Sequence, residues 1–348
     1  MVRPFLTLKT KVMEKMNWYL GVDVSKSTLD ITLLSGHAKT DYRQVLNTTE
    51  DIRAYFQLIK IEFGCRLKEC LICMEYTGIY NNHILQVAHK MGISIWLESA
   101  VQIKQSTGVS RIKNDKVDSE KIALYAYRFH DIARLWQPPR EAVELLNQLS
   151  KQREKLIKIK HQLEVGHGEA ALFIDKKLVK AIKDAVSRPL KEVIVAIKVL
   201  DKKIEELIEK DEHIKSLADI ITSVPGVGKV TAVKIIITTN EFKDITDPRK
   251  YACYGGIAPF ERTSGTSIRG KSRVSKKANL SVKTILSLCA RSSIVHDPDI
   301  KQYYQRKVAE GKNKQSVLNA VRNKIIHRVF ACVNNNRRYE KIYQHILA

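Results

Sequence analysis

Trp18-Tyr19-Leu20-Gly21-Val22-Asp23-Val24 is the stretch that decides the fold of the first third of this chain. It is apolar except for one carboxylate near its end, the pattern of a buried strand. Ser25-Lys26-Ser27-Thr28 supplies a turn, and Leu29-Asp30-Ile31-Thr32-Leu33-Leu34 reads as an alternating strand, so the two form a hairpin. Asn47-Thr48-Thr49-Glu50 is a helix-start signal, followed by Ile52, Phe56, Ile59 and Phe63 at helical spacing. Leu71-Ile72-Cys73-Met74 is a short strand ending at Glu75. A helix with Ile84, Leu85, Val87 and Ala88 on its buried side comes next, then the strand Ile93-Ser94-Ile95-Trp96-Leu97 and a helix over 115–129. Strands first in a hairpin, then alternating with helices, predict an α/β domain over residues 17–137.

Pro138-Pro139 marks a boundary, since neither proline suits a helix interior or a central strand. Beyond it, Leu145, Leu149, Gln152, Leu156, Ile159 and Leu163 form one heptad seam, and Leu190, Val193, Ile197, Leu200, Ile204 and Leu207 another. With Gly166-His167-Gly168 and Pro189 between them, the seams predict an antiparallel helical hairpin over 138–215, pairing with itself or with another subunit. A plain helical bundle fits the same residues. From 216 to 348 the periodicity is helical, opening on Ser223-Val224-Pro225-Gly226-Val227-Gly228-Lys229-Val230-Thr231-Ala232. That is the form of a helix-hairpin-helix turn, in which amides around Gly226, Gly228 and Lys229 contact a nucleic-acid phosphate. A tight αα turn using glycine for positive φ explains it equally.

The chain has 348 residues and a formal charge of +23, with 44% hydrophobic and 28% charged residues, a composition that excludes wholesale disorder. No apolar run approaches the roughly 18 residues of a membrane span. The N-terminus lacks the apolar core of a signal peptide, and six cysteines make no disulfide scaffold, so a cytoplasmic protein is expected. From Gly265 onward 18 Lys/Arg face 4 Asp/Glu, which calls for a polyanionic partner. The densest run, 264–277, carries Arg269, Lys271, Arg273, Lys276 and Lys277 among Ser and Gly and no acid. It reads as a flexible phosphate-binding loop.

Four acids oppose this trend. Asp23 and Glu75 each stand at the end of an apolar strand, and Asp115 and Asp118 share one face of a helix start. Singly, such residues cap turns or complement a helix dipole. Gathered together, they repel one another unless a hard cation neutralises them, and oxygen ligands select Mg²⁺ or Mn²⁺. Cys70 and Cys73, with Cys65 nearby, are expected on one edge of the core in a structural role. His83 and His89 read as helix surface or core. Tyr76 and Tyr80 either flank the acids or pack.

Tyr19-Leu20-Gly21-Val22-Asp23-Val24-Ser25-Lys26, Met74-Glu75-Tyr76-Thr77-Gly78-Ile79-Tyr80 and Lys113-Asn114-Asp115-Lys116-Val117-Asp118 resemble the three N-terminal blocks of the DEDD transposases of insertion-sequence-110-type elements. Pro225-Gly226-Val227-Gly228, Tyr254-Gly255-Gly256-Ile257-Ala258-Pro259 and Ser264-Gly265-Thr266-Ser267-Ile268-Arg269-Gly270 resemble that family's C-terminal half. The resemblance implies an RNase H-like (RuvC-like) domain in which Asp23, Glu75, Asp115 and Asp118 bind Mg²⁺ or Mn²⁺. It also implies a C-terminal transposase domain over 216–348 whose Ser264 attacks a DNA phosphate. The expected partners are donor and target DNA, a structured noncoding guide (bridge) RNA, and further copies of the chain in a dimer or tetramer, in the bacterial cytoplasm at the nucleoid. Ser119 stands where the family usually has alanine, with little consequence expected. The leader before Asn17 is longer than usual, which makes Met16 a candidate start. A metal-dependent nuclease resembling a Holliday-junction resolvase is the alternative, and Ser264 separates the two. An actin-like ATPase or sugar kinase shares only the first loop.

Overall fold

The computed structural model describes residues 16–106, 114–264, 268–274 and 278–341, with only the backbone described for 166–172 and 261–273. The chain divides into two units between Pro138 and Pro139.

The first unit is built on a five-stranded sheet in the order β3-β2-β1-β4-β5. Strands β1 (Trp18–Val24), β2 (Thr28–Ser35) and β3 (Ala38–Leu46) form an antiparallel meander, while β4 (Cys70–Glu75) and β5 (Ser94–Glu98) run parallel to β1. The expected hairpin and the two later strands are all present. The periodicity did not reveal β3. It is an edge strand of mostly polar residues, none of them buried, and charged side chains protect such an edge from further pairing.

Helix α1 (Thr49–Glu62) starts where Thr48 caps it by accepting from the Asp51 amide, and Ile52, Phe56 and Ile59 are buried. With α2 (Asn82–Lys90) it covers one face of the sheet, burying Leu20, Val22, Ile31, Ile72 and Met74. A short helix, α3 (Ala100–Ser106), follows β5. The other face, with Tyr19, Leu71, Cys73 and Trp96, packs on α4 (Asp115–Phe129) through Ile122, Ala123, Tyr125 and Ala126. Alternation of side chains along each strand divides the two faces.

The second unit opens with two long helices, α5 (Glu141–Phe173) and α6 (Lys176–Lys210), packed against each other as a hairpin. The break lies at Ile174-Asp175, where Asp175 caps α6 by accepting from the Lys177 amide. It does not lie at Gly166-His167-Gly168, through which α5 continues, nor at Pro189, which sits inside α6. A helix this long, packed along its length, carries one proline despite the lost hydrogen bond. Ile197 and Ile204 of the second seam are buried; Leu145 is exposed, and Val143 and Leu146 occupy the core beside it.

Helices α7 (Glu212–Thr222), α8 (Lys229–Thr239), α9 (Pro248–Tyr254), α10 (Leu280–His296), α11 (Pro298–Ala309) and α12 (Lys314–Asn334) form the core of this unit around Ile221, Ile236, Tyr251, Leu286, Val321 and Phe330. The base of the α5–α6 hairpin joins that core through Val143, Leu146, Ile204 and Ile208. The region expected to be a flexible loop contains an antiparallel hairpin instead, β6 (Pro259–Ser264) with β7 (Ile268–Val274). Alternating basic and small residues satisfy a two-stranded ladder as well as they satisfy a loop. Among the described residues no helix is long and apolar enough to cross a membrane.

Candidate active site

In β1 the side chains of Tyr19, Gly21 and Asp23 take the face covered by α4, as do Leu71, Cys73 and Glu75 in β4. The parallel pairing sets Val22 beside Met74, so Asp23 and Glu75 come at the next position of their strands. Glu75 pairs with Glu98 of β5, Asp23 with Asp30 of β2, and Asp30 with Gln44 of β3. One row across the sheet thus carries Gln44, Asp30, Asp23, Glu75 and Glu98. Sequence reasoning missed Asp30 and Glu98. The signal for Asp30 was present: it and Asp23 lie at equal distances from the Ser25–Thr28 turn, which makes them cross-strand partners.

Helix α4 brings the remaining acids. Asn114 caps it by accepting from the Lys116 amide at 3.0 Å, which places Asp115 and Asp118 in its first turn. Gly21 is what lets the helix come this close. A Cβ there would collide with the Ser119 carbonyl and lie 2.7 Å from the Ala123 Cα. Directly beside Gly21 on β2, Thr32 donates to the buried Ser119 hydroxyl at 2.8 Å, and Ser119 donates to the Lys116 carbonyl at 2.9 Å. The serine expected to matter little is therefore a buried fastening between α4 and the sheet, worth about 1 kcal/mol.

The Asp23 carboxyl is pushed up to about 6 from its ordinary 3.8, first by burial, then by the charges of Asp115, Asp118, Glu75 and Asp30. The other three expected acids thus all bear on Asp23, with Asp30 as a fourth. Asp118 is also held by Lys121 at 2.9 Å. Tyr125 donates to Glu98 at 3.2 Å. As the side chains stand, no three acid, histidine or cysteine groups among the described residues converge closely enough to hold a metal ion. The donors are all carboxylate oxygens and the field is strongly negative, which suits a hard divalent cation and no softer one.

Ser264 is the last residue of β6 and pairs with Ile268, the first residue of β7. Arg269, Lys271 and Arg273 occupy alternate positions of β7, with Arg269 opposite Thr263 and Arg273 opposite Phe260. Residues 265–267 and the expected phosphate ligands Lys276 and Lys277 lie outside the described residues. The acids belong to the first unit and Ser264 to the second.

In the α7–α8 turn, Gly226 has φ +87°, and its missing Cβ leaves room for Ser293 of α10, whose hydroxyl donates to the Pro225 carbonyl at 2.7 Å. Close packing and the positive φ thus both call for glycine at 226. Gly228 is exposed with open space around it at the N-terminus of α8, and Lys229 pairs with Glu205 at 2.9 Å. Cys70 and Cys73 lie on opposite faces of the sheet rather than on one edge, as three residues of strand require, and Cys65 is the neighbour of Cys70, Sγ to Sγ 3.0 Å. His83 and His89 are exposed on α2. Tyr76 is exposed directly after Glu75, and Tyr80 is exposed in the short helical turn Gly78–Asn81 that precedes α2.

Residues 20–164 match the family model for DEDD transposases of the IS110 type, and residues 218–305 match the one described as the transposase IS116/IS110/IS902 family. The pilin gene-inverting protein of Moraxella lacunata is 24% identical over 330 residues, 93% of this chain and 98% of that protein. The transposase for insertion sequence element IS1111A of Coxiella burnetii is 22% identical over 346 residues, 92% of this chain and 90% of that protein. An insertion element IS110 protein of 43.6 kDa from Streptomyces coelicolor is 30% identical over 143 residues, 41% of this chain and 34% of that protein.

Proposed function

We propose that this chain, which belongs to the IS110-family DEDD transposases, is a recombinase that joins DNA strands chosen by a guide RNA, using a Mg²⁺-binding acid site and Ser264 as nucleophile. The observation that carries the reading is that Asp23 and Glu75 stand at neighbouring strand ends on the face covered by α4, whose first turn carries Asp115 and Asp118, and that the charges of these acids bear on the Asp23 carboxyl. A mixed sheet with its acids at neighbouring strand ends supports an RNase H-like domain over 17–137. In the same reading, 138–215 serves oligomerisation and 216–348 carries the serine and the nucleic-acid surface.

Asp23, Glu75, Asp115 and Asp118 would hold Mg²⁺ or Mn²⁺. A divalent ion bound there supplies Lewis-acid activation of the phosphodiester and neutralises developing charge. Ser264 forms the Oγ–phosphorus bond as the bond to the departing sugar oxygen breaks, and the serine proton leaves with that oxygen. Ser264 stands at the end of β6, and Arg269, Lys271 and Arg273 of the paired strand β7 would hold backbone phosphates. Gly228 and Lys229 offer the α8 N-terminus to a further phosphate. The family resemblance brings the acids of one copy to the serine of another. Phe173, Ile174, Leu178 and Ile182, exposed around the α5–α6 turn, are apolar surface for such a dimer or tetramer. A basic chain with few aromatics suits a protein that leaves base reading to RNA pairing, acting on DNA in the cytoplasm. The name of the Moraxella relative, a gene inverter, favours strand exchange over plain hydrolysis.

The test uses purified full-length protein with its guide RNA and donor and target DNA. Wild type should form a covalent protein–DNA adduct at Ser264. Ser264→Ala should lose adduct and product together, and Asp23→Asn should lose product by at least ~10³-fold, the scale of a lost catalytic group. Continued metal-dependent cutting by Ser264→Ala would establish the nuclease reading instead. Full activity without RNA would remove the guide from the mechanism.

A further inference from the structure

Asp30 is 2% exposed, and among the described residues no Lys, Arg or His lies within ion-pair distance of it. Its partners are neutral: the Tyr42 hydroxyl donates to Oδ1 at 2.6 Å, and the Gln44 amide lies 3.4 Å from both oxygens. A buried carboxylate calls for a positive partner or a cation to balance its charge. Two neutral donors fix its orientation but leave its charge uncompensated. Its register partner on the other side is Asp23, so the uncompensated charge sits beside the central acid of the site.

Tyr42 does more than hold Asp30. Lys116, which lies between Asp115 and Asp118 in sequence, places its ammonium 4.9 Å from the centre of the Tyr42 ring. Tyr42 is also the register partner of Thr32, the residue bonded to Ser119 of the same helix. Two adjacent cross-strand neighbours therefore fasten the first turn of α4, one through a hydroxyl and one through an aromatic face. The same tyrosine fixes a carboxylate next to Asp23 and the helix turn that carries the other two aspartates.

We infer that Asp30 is an outer carboxylate of the metal site, balanced by a divalent cation at Asp23, and that Tyr42 is a positioning residue which sets Asp30 and the first turn of α4 relative to one another. This rests on the metal-binding role proposed above for the four acids. An outer carboxylate strengthens the field at the cation without occupying its coordination shell, and such partners are worth about 10- to 100-fold in metal affinity. Asparagine at 30 keeps an acceptor for the Tyr42 hydroxyl and removes only the charge. Phenylalanine at 42 keeps the ring under Lys116 and removes only the hydroxyl.

The measurement is Mn²⁺ binding to the EDTA-stripped, full-length protein, read as free Mn²⁺ by electron paramagnetic resonance, together with the melting temperature in EDTA. Asp30→Asn and Tyr42→Phe should each weaken Mn²⁺ binding about tenfold or more. Asp30→Asn should melt in EDTA at or above the wild-type temperature, because it removes an uncompensated buried charge. That combination of weaker metal binding with undiminished metal-free stability is one a merely structural residue does not produce. Mn²⁺ affinity within twofold of wild type in both variants overturns the inference, as does a lower melting temperature for Asp30→Asn with unchanged affinity. Asp23→Asn is the reference. Its loss of Mn²⁺ binding is required by the metal reading itself, so wild-type binding in that variant would defeat the reading and not this extension of it.

Discussion

At the scale of single residues, the fold acts on the Asp23 carboxyl. Its carboxyl, at about 6 in the folded protein against an ordinary 3.8, binds its proton more tightly folded than unfolded. Its contribution to stability is therefore fully present below pH ~4 and is lost as the pH rises through 6, where the unfolded chain has already released the proton. Asp23→Asn, which resembles the protonated acid at every pH, should melt near wild type at pH 4 in EDTA. At pH 7 it should melt higher by about 4 °C, the effect of roughly 1 kcal/mol in a domain of this size. A melting-temperature difference independent of pH would show that burial and neighbouring acids do not govern this carboxyl. Added Mg²⁺ should close the gap by stabilising only the wild type.

Elements depend on contacts that their own sequence does not announce. After α8 the backbone turns left-handed through three consecutive residues, Asn240, Glu241 and Phe242, with φ of 48°, 57° and 61°. None is glycine, so each is strained. The turn persists because it is held from several sides. Phe242 donates its amide to the Thr239 hydroxyl at 3.1 Å, and the fully buried Glu241 carboxylate takes the guanidinium of Arg140 as well as Lys243 at 2.8 Å. Arg140 also grips Asp211, the N-cap of α7, at 2.8 Å, so one arginine ties the residue before α5 to the start of α7 and the end of α8. Arg140→Met should lower stability by about 3 kcal/mol, because it leaves buried Glu241 undercompensated. Adding Glu241→Gln should recover most of that in urea unfolding, and a double variant as unstable as the single one would assign the loss to packing.

At the scale of the whole molecule, the charge of +23 is unevenly spread, with the last 84 residues carrying 18 basic and 4 acidic side chains. Contacts with nucleic acid through such a surface release counterions, so affinity should fall by about 10³-fold or more between 50 and 200 mM salt. A fluorescence-anisotropy titration that stays flat over that range would mean that these cations are not the binding surface. The family was legible from motif blocks in both halves, and the mixed α/β unit, the buried strands β1 and β4 and the limits of α4 from apolar runs and helix caps, which act over a few residues. The polar strand β3, the β6–β7 hairpin and the unbroken α5 and α6 were not: the strands carry polar and basic residues without an apolar alternation, and the two helices continue through the glycines and the proline that read as breaks. Four acids could be named from strand ends and a helix start. The pairing of Asp23 with Asp30 followed from the turn between them, whereas that of Glu75 with Glu98 required a register between remote strands. By itself the sequence determined which residues could form strands, helices and a phosphate-binding surface, since these follow from local periodicity and charge. Only the tertiary structure decided that Glu98 stands beside Glu75, that Gly21 admits α4, and that Tyr42 and Ser119 fasten it, because pairing between remote strands and close packing depend on distance in space.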